Sequence, residues 1–369
     1  MIGSGVVGAF TPRQMMKLSF DLMQQSANVF RFFLPAHDAQ IAWQEFQNKL
    51  QTFTLFEYVD SVLDLPAAAD VPLSALVAKL ARLEPFLAVW AAEGIGHYHA
   101  ERSGVSHGLL NDSRVGAAPE KSLIALHAGM GLSFANRVLE TVPTRSAGSD
   151  LQSALQRFFY LCNKNSIEGY AGVAHESLGL VARNLYPHLV LSIDQELSSS
   201  DERLAGLFWH GVGRALYFAP TNFLPCSSSF LRAIEMAERE PVHDLGRTNA
   251  MAGLTWAMNL VNLRHPEVME NFLKQYGDQL CSTDAFSNGV SSSIVVWQDS
   301  AGNDSSLSQF RRHRPDPSTP RLVELWDRYV RAPSEDALQH FHPVLKRHSC
   351  LEEVFRYQSL STLVARLEA

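Results

Sequence analysis

Apolar residues return at helical spacing along most of the chain. Leu73, Leu76, Leu80, Leu83 and Leu87 stand three or four apart within Pro72–Ala91, where Pro85 predicts a kink or a break. Leu151–Leu161, Ser229–Glu240 and Pro266–Tyr276 read as amphipathic helices. Asp150 is placed to cap the first of these, and Pro266 suits the first turn of the last. Pro12–Arg31, Ala36–Val62, Pro320–Val330 and Ser334–Ala369 give helical flanks. Gly104–Ser122 and Asp299–Pro320 read as loops, the second long enough to act as a lid. Strand signals are few. The best, Ser293–Gln298 (SIVVWQ), lies in a segment better read as helix.

Six otherwise apolar segments are broken by glycine: AEGIGHYHAERSG, LHAGMGLSFAN, SIEGYAGVAHESLG, WHGVGRALYF, NAMAGLTWAMNL and FSNGVSSSIVVWQD. Their leading glycines, 94, 129, 169, 211, 253 and 289, are 35, 40, 42, 42 and 36 residues apart. A period of that length marks a repeat architecture, and a unit of about 40 residues holds two helices and their turns. The expectation is an all-α fold. Its form is an α/α toroid of five or six helix pairs with helical flanks, or an open α-solenoid of the same pairs. Glycine favours the ring, because converging helices must approach closely. The chain divides into a flank at 1–91, a repeat core at 92–304, and a loop with a second flank at 305–369, all in one compact unit.

A polar residue precedes each leading glycine: Glu93, His127, Glu168, His210, Asn249 and Asn288. Asn288 reads as a helix cap. Residues four apart share a helix face, which pairs Glu93 with His97 and His210 with Arg214. Glu168 shares its face with Gly172 and His175. A ring would aim these groups at a common centre walled by Phe134, Tyr170, Tyr217, Phe218 and Trp256. Such a pocket suits acid–base chemistry. Glu93, His127, Glu168, His210 and Arg214 are the catalytic candidates. Glu93 or Glu168 would act as acid or base, and Arg214 would hold an anionic group or a developing oxyanion. His97, Phe134, Tyr170, His175, Tyr217 and Trp256 are the ligand-binding candidates. The bland alternative makes each histidine a hydrogen-bonded core residue and Arg214 a structural ion-pair partner. His99, Glu101 and His107 read as surface.

Composition narrows the chemistry. The chain of 369 residues is 46% apolar with a net charge of −7, which argues against general nucleic-acid binding. Its one basic cluster, Arg311–Arg314, sits in the loop rich in Ser, Asp and Pro. The four cysteines form no CxxC pair, and with no signal peptide or membrane span read, they place the protein in the cytoplasm. No HExxH, Walker A or DDxxD motif appears. No cofactor is favoured, and a divalent metal drawn from several His and Glu residues stays open.

EGIGHYHAE, HAGMGLSFA, IEGYAGVAHESLG, HGVGRALYF and SNGVSSSIVVWQDSAGN resemble, in order, the glycine segments of a bacterial family of unknown function found in enediyne natural-product gene clusters. That family's boxes run EGxxM, GxGWAxA, DGYGFHxG, GLGRSLWF and a late AGN. HGVGRALYF is the nearest match, and YAGVAHESLG departs from the GFHxG form. The resemblance spans Trp90–Asp304 and implies a role near polyketide or other lipophilic secondary metabolism. The reading is therefore an enzyme of cyclase, isomerase or lyase type acting on a polyketide or terpenoid-like intermediate. Its alternatives are a non-catalytic carrier or partner-binding scaffold, and a metal-dependent enzyme. The flanking helices suit a homodimer.

Overall fold

A computed structural model describes residues 21–22, 37–66, 71–103, 108–110, 118–143, 148–223 and 228–369. Among these residues all regular structure is helical. The main helices are α1 (His37–Glu57), α2 (Pro85–Arg102), α3 (Leu123–Leu139), α4 (Gly148–Asn165), α5 (Ala171–Leu185), α6 (Val190–Ser200), α7 (Glu202–Phe218), α8 (Ser228–Arg239), α9 (Asp244–Val261), α10 (Pro266–Leu280) and α11 (Ala285–Ala301). The Pro12–Arg31 expectation falls almost wholly outside the described residues. No described helix is long and apolar enough to cross a membrane.

Helices α2, α3, α5, α7, α9 and α11 carry the glycine boxes. They are buried nearly all round: α7 is buried without a break from Ala205 to Tyr217, and α9 from Asn249 to Val261. The helices between them bury one stripe each, such as Val268, Met269, Phe272 and Leu273 of α10. Burial all round is the mark of an inner helix and a stripe that of an outer one.

The glycines lie within the helices, not at their starts, and each removes a side chain from a backbone crossing. A Cβ on Gly96 would strike the carbonyl of Leu126, one on Gly131 that of Ala174, one on Gly179 that of Phe208, and one on Gly213 that of Ala250. All four face the next box helix. Gly129, Gly211, Gly253 and Gly289 meet Glu93, Glu176, His210 and Ala252 on the previous one. Two glycines two residues apart thus serve the two neighbours of one helix. In the third box the backward position is Ser177, whose hydroxyl donates to Ala128 O at 2.9 Å. The packing glycine of that box is Gly179. Gly169 lies in a turn at φ +82°, where a side chain is strained. Phe86 of α2 and Trp297 of α11 bring the first and last box helices together, with ring centroids 5.6 Å apart.

The inner helices run in one direction. Near their N-terminal ends, Ile167 N, just before α5, donates to His127 of α3. Gly206 of α7 likewise faces Asn249 of α9. Near their C-terminal ends, Arg137 of α3 reaches Ala100 O of α2, and Tyr186, just past α5, reaches Asn136 of α3. The N-terminal side is crossed by the chain around 349–358. Glu352 accepts from Gly172 N at 2.7 Å, Asn249 accepts from Tyr357 N at 2.6 Å, and Asn288 donates to Gln358 O at 2.7 Å. Asn288 therefore anchors this segment and does not cap its helix.

Other expectations shift. Pro85 starts α2 and does not kink a longer helix. Asp150 lies in the first turn of α4, beyond the capping position. The 299–320 segment contains a helix, Ser305–Arg312, capped by Asp304 and buried through Leu307 and Phe310, so the lid reading fails there. Between 320 and 347 the chain stays helical through Pro333 and Pro343. Ahead of each proline the helix widens by a residue: Ala332 N bonds Asp327 O, and His342 N bonds Ala337 O. The missing proline N–H and the ring's clash with the carbonyl four residues back are absorbed in these wider turns.

Candidate functional site

His210 and Arg214, one turn apart on α7, face Glu176 of α5. Arg214 Nη1 donates to Glu176 Oε2 at 2.8 Å, and His210 Nδ1 donates to Glu176 Oε1 at 2.9 Å. Arg214 Nη2 also reaches Glu93 Oε1 of α2 at 3.2 Å. One guanidinium thus joins helices from three boxes, and its plane lies 4.6 Å from the Trp256 ring centroid on α9. All five side chains are buried.

Burial sets the protonation states. It raises the Glu93 carboxyl above its ordinary range, and the nearby Glu176 charge adds to this, while Arg214 opposes it. It lowers the His210 imidazole, again mainly through desolvation, against the pull of Glu176. His210 is therefore neutral, with its proton on Nδ1 toward Glu176 and a lone pair on Nε2. Arg214 is held charged by its two carboxylates against the cost of burial. Three buried atoms here have no hydrogen-bond partner: His210 Nε2, Arg214 Nε and Trp256 Nε1. Buried polar atoms are normally satisfied, so a cluster of orphans marks a place built for more than packing.

On the C-terminal side this cluster meets an apolar cleft of about 80 Å³, lined by Thr52, Phe53, Phe56, Trp90, Glu93, Leu132, Leu180, Asn184, Arg214 and Phe218. A second hollow of about 50 Å³ shares Phe56, Leu132, Leu180 and Asn184, and adds Glu57 and His97. On the opposite side Phe355 closes the centre, with its ring centroid 6.2 Å from His210 and 5.7 Å from Trp256. α1 supplies Thr52, Phe53 and Phe56, and docks through a polar seam. Asn48 donates to Asn262 at 3.0 Å, and the buried Lys49 pairs with Glu45 at 2.6 Å while donating to Asn222 O at 3.0 Å.

Glu93, His210, Arg214 and Trp256 thus come together, with His97 in the adjoining hollow. The other candidates do not join them. Glu168 is exposed in the turn before α5, so its proposed catalytic role does not stand. His127 is fully committed: Nδ1 donates to Leu123 O at 2.6 Å, and Nε2 accepts from Ile167 N at 3.0 Å. It stacks on Tyr170 at 5.0 Å, and burial lowers its pKa to about 4. Both residues are core, as the bland reading has it for His127, and Tyr170 does not line the cleft. His175 binds Asn163 at 3.0 Å and packs against Phe159, and burial lowers its pKa to about 3. Phe134 is core beneath Arg137, and Tyr217 accepts from Asn262 at 2.7 Å beneath Lys49. His99 is half-buried, contrary to its surface reading.

Glu176 does not lead its box but follows the turn glycine Gly169 by seven residues, so the spacing of leading residues does not point to it. A better signal exists. Glu93, Glu176 and His210 each stand three residues before a glycine that meets the next helix: Gly96, Gly179 and Gly213.

Two other clusters invite chemistry and are better explained structurally. Ser198, His243 and Asp194 lie within 3.2 Å of one another. Yet His243 Nδ1 accepts from Gly246 N and caps α9, so its proton sits on Nε2 toward Asp194 and the imidazole offers the serine no lone pair. Asp299 pairs with Lys346 at 2.8 Å and with His342 at 3.2 Å, which ties α11 to the C-terminal helices. Among the described residues no three His, Cys, Asp or Glu side chains are grouped to hold a metal ion. No protein-family model matches this chain, and neither do curated proteins or solved structures.

Proposed function

We propose that this is a cytoplasmic acid–base enzyme acting on a lipophilic natural-product intermediate by a cyclase, isomerase or lyase step. In this reading the six box helices form an α/α toroid and the reaction takes place at its centre. One observation carries the proposal: Glu93 belongs at once to the buried charge cluster and to the wall of the apolar cleft. Burial raises this carboxyl above its ordinary range, toward the neutral pH at which general acid–base catalysis is most effective. Glu176 orients His210 and balances Arg214, so both are positioning groups for the centre. The resemblance of the boxes to the enediyne-cluster family points to the same metabolism.

The test starts from whatever small molecule co-purifies with the protein, identified by mass spectrometry and then incubated with fresh enzyme. Conversion is expected, and Glu93→Gln is expected to slow it by about 100-fold or more. The melting temperature should stay within a few degrees, because glutamine keeps the shape and an Arg214 acceptor. Binding without conversion would replace the enzyme reading with that of a carrier, and full activity in the variant would remove Glu93 from the catalytic machinery.

A further inference from the structure

We infer that the cleft receives the apolar end of an uncharged lipophilic molecule and excludes anions, so that Arg214 is not an anion anchor. The inference rests on the cleft proposed above as the ligand site and deepens it by fixing the charge class of the ligand.

The first ground is charge already spent. Among the described residues, Arg214 is the only arginine or lysine lining the cleft or the adjoining hollow. Its Nη1 is committed to Glu176 at 2.8 Å and its Nη2 to Glu93 at 3.2 Å. With both carboxylates ionised, the three groups sum to one negative charge; with Glu93 protonated they sum to zero. His210 is neutral, so the buried cluster carries no net positive charge to meet a carboxylate or phosphate. An anion entering here would be desolvated next to like charge, which is costly in an apolar site.

The second ground is the wall. Phe53, Phe56, Trp90, Leu132, Leu180 and Phe218 supply most of the lining, and the remaining polar groups are Thr52 and Asn184. Apolar walls with a few convergent polar groups favour neutral hydrocarbon over charge. The third ground is size. The two hollows, about 80 and 50 Å³, together match the ~150 Å³ at which an apolar cavity holds one small ring. They admit the end of a chain or a single ring, and the rest of the ligand lies outside the mouth.

The test is isothermal titration calorimetry of the full chain at pH 8 with two ten-carbon probes, 1-decanol and decanoate. Decanol should bind at least tenfold tighter. Glu93→Gln abolishes the ionised form of this carboxyl at constant size and should narrow that gap to threefold or less. Leu180→Trp fills the cleft and should abolish decanol binding while the melting temperature holds, which locates the site. If decanoate binds as tightly as decanol or tighter, the inference is wrong, and Arg214 does anchor anions. If neither probe binds at millimolar concentration, the cleft is not a lipophilic site and the inference falls with it. Loss of the enzyme reading alone would look different: charge selectivity would remain while the co-purifying molecule was bound without conversion.

Discussion

Arg214 shows how far a single residue can be read from sequence. Its place four residues after His210 put both on one face, and that face does meet a carboxylate from another box. The same logic failed for Glu168, because the third box enters its helix later than the others and leaves that residue in an exposed turn. The true partner, Glu176, was hidden by a serine standing where other boxes carry a glycine. His127 illustrates the opposite case, a histidine beside a glycine whose two nitrogens both serve the fold. It makes a testable contribution to acid sensitivity. Its folded pKa, about 4, lies below the ordinary 6.5, so the unfolded chain binds the proton more readily. The stability it lends is complete above about pH 6.5 and is lost as the pH falls toward 4. The loss amounts to about 3 kcal/mol across that window. Denaturant titrations of His127→Gln should show lower stability at pH 7 but a shallower decline between pH 6.5 and 4. His175 and His210, lowered in the same direction, should preserve the remaining slope. An undiminished slope in the variant would mean that His127 is not held neutral.

At the scale of helices, the glycine boxes were legible because glycine inside an apolar helix is costly and its repetition is not accidental. The period gave the inner helices, and amphipathic spacing gave α4, α8 and α10 between them. Polar composition misled at 299–320, where Leu307 and Phe310 suffice to bury a short helix that Asp304 caps. The helical passage through Pro333 and Pro343 was invisible for a related reason. Proline is a sound stop signal in a regular helix, and only a wider turn removes the conflict. The close crossings give a sharp expectation. Gly213→Ala would place a methyl group against Ala250 O and Leu254 N, both backbone, and so must separate α7 from α9. Alanine returns about 1 kcal/mol of helix propensity, yet overpacking against rigid backbone outweighs it. A net loss of about 3 kcal/mol is expected by chemical denaturation. Gly206→Ala on the same helix meets only the Asn249 side chain, 3.3 Å away, and should change stability by no more than about 1 kcal/mol. Equal effects at the two positions would remove backbone crowding as the reason for the boxes.

Across the whole molecule the two ends of the inner helices are treated differently. The C-terminal side opens to the cleft beneath α1, and the N-terminal side is crossed by the 349–358 segment, with Phe355 set against His210 and Trp256. Sequence reading placed helices over the core but could not foresee this crossing. Its anchors are single hydrogen bonds between residues far apart in the chain, and spacing carries no trace of them. Two anchors come from boxes whose polar residue has no part in the charge cluster: Asn249 holds Tyr357 N, and Asn288 holds Gln358 O. The later boxes thus keep a polar residue at the N-terminal side of the inner helices to seat the tail, while Glu93 and His210 serve the buried cluster. Asn249→Ala tests this division. Asn249 Oδ1 accepts from Tyr357 N at 2.6 Å, and its Nδ2 donates to Leu245 O at 2.8 Å, so alanine strands one amide in the tail and frees one carbonyl within α9. The expected cost is about 1–3 kcal/mol. If the bond is what seats the segment, amide hydrogen exchange at Tyr357 should accelerate well beyond the change in the interior amides of α9, because the tail can then lift locally while the core stays closed. Uniform acceleration at Tyr357 and across α9 would mean that the tail opens only when the whole helical core does, with Phe355 rather than Asn249 holding it in place.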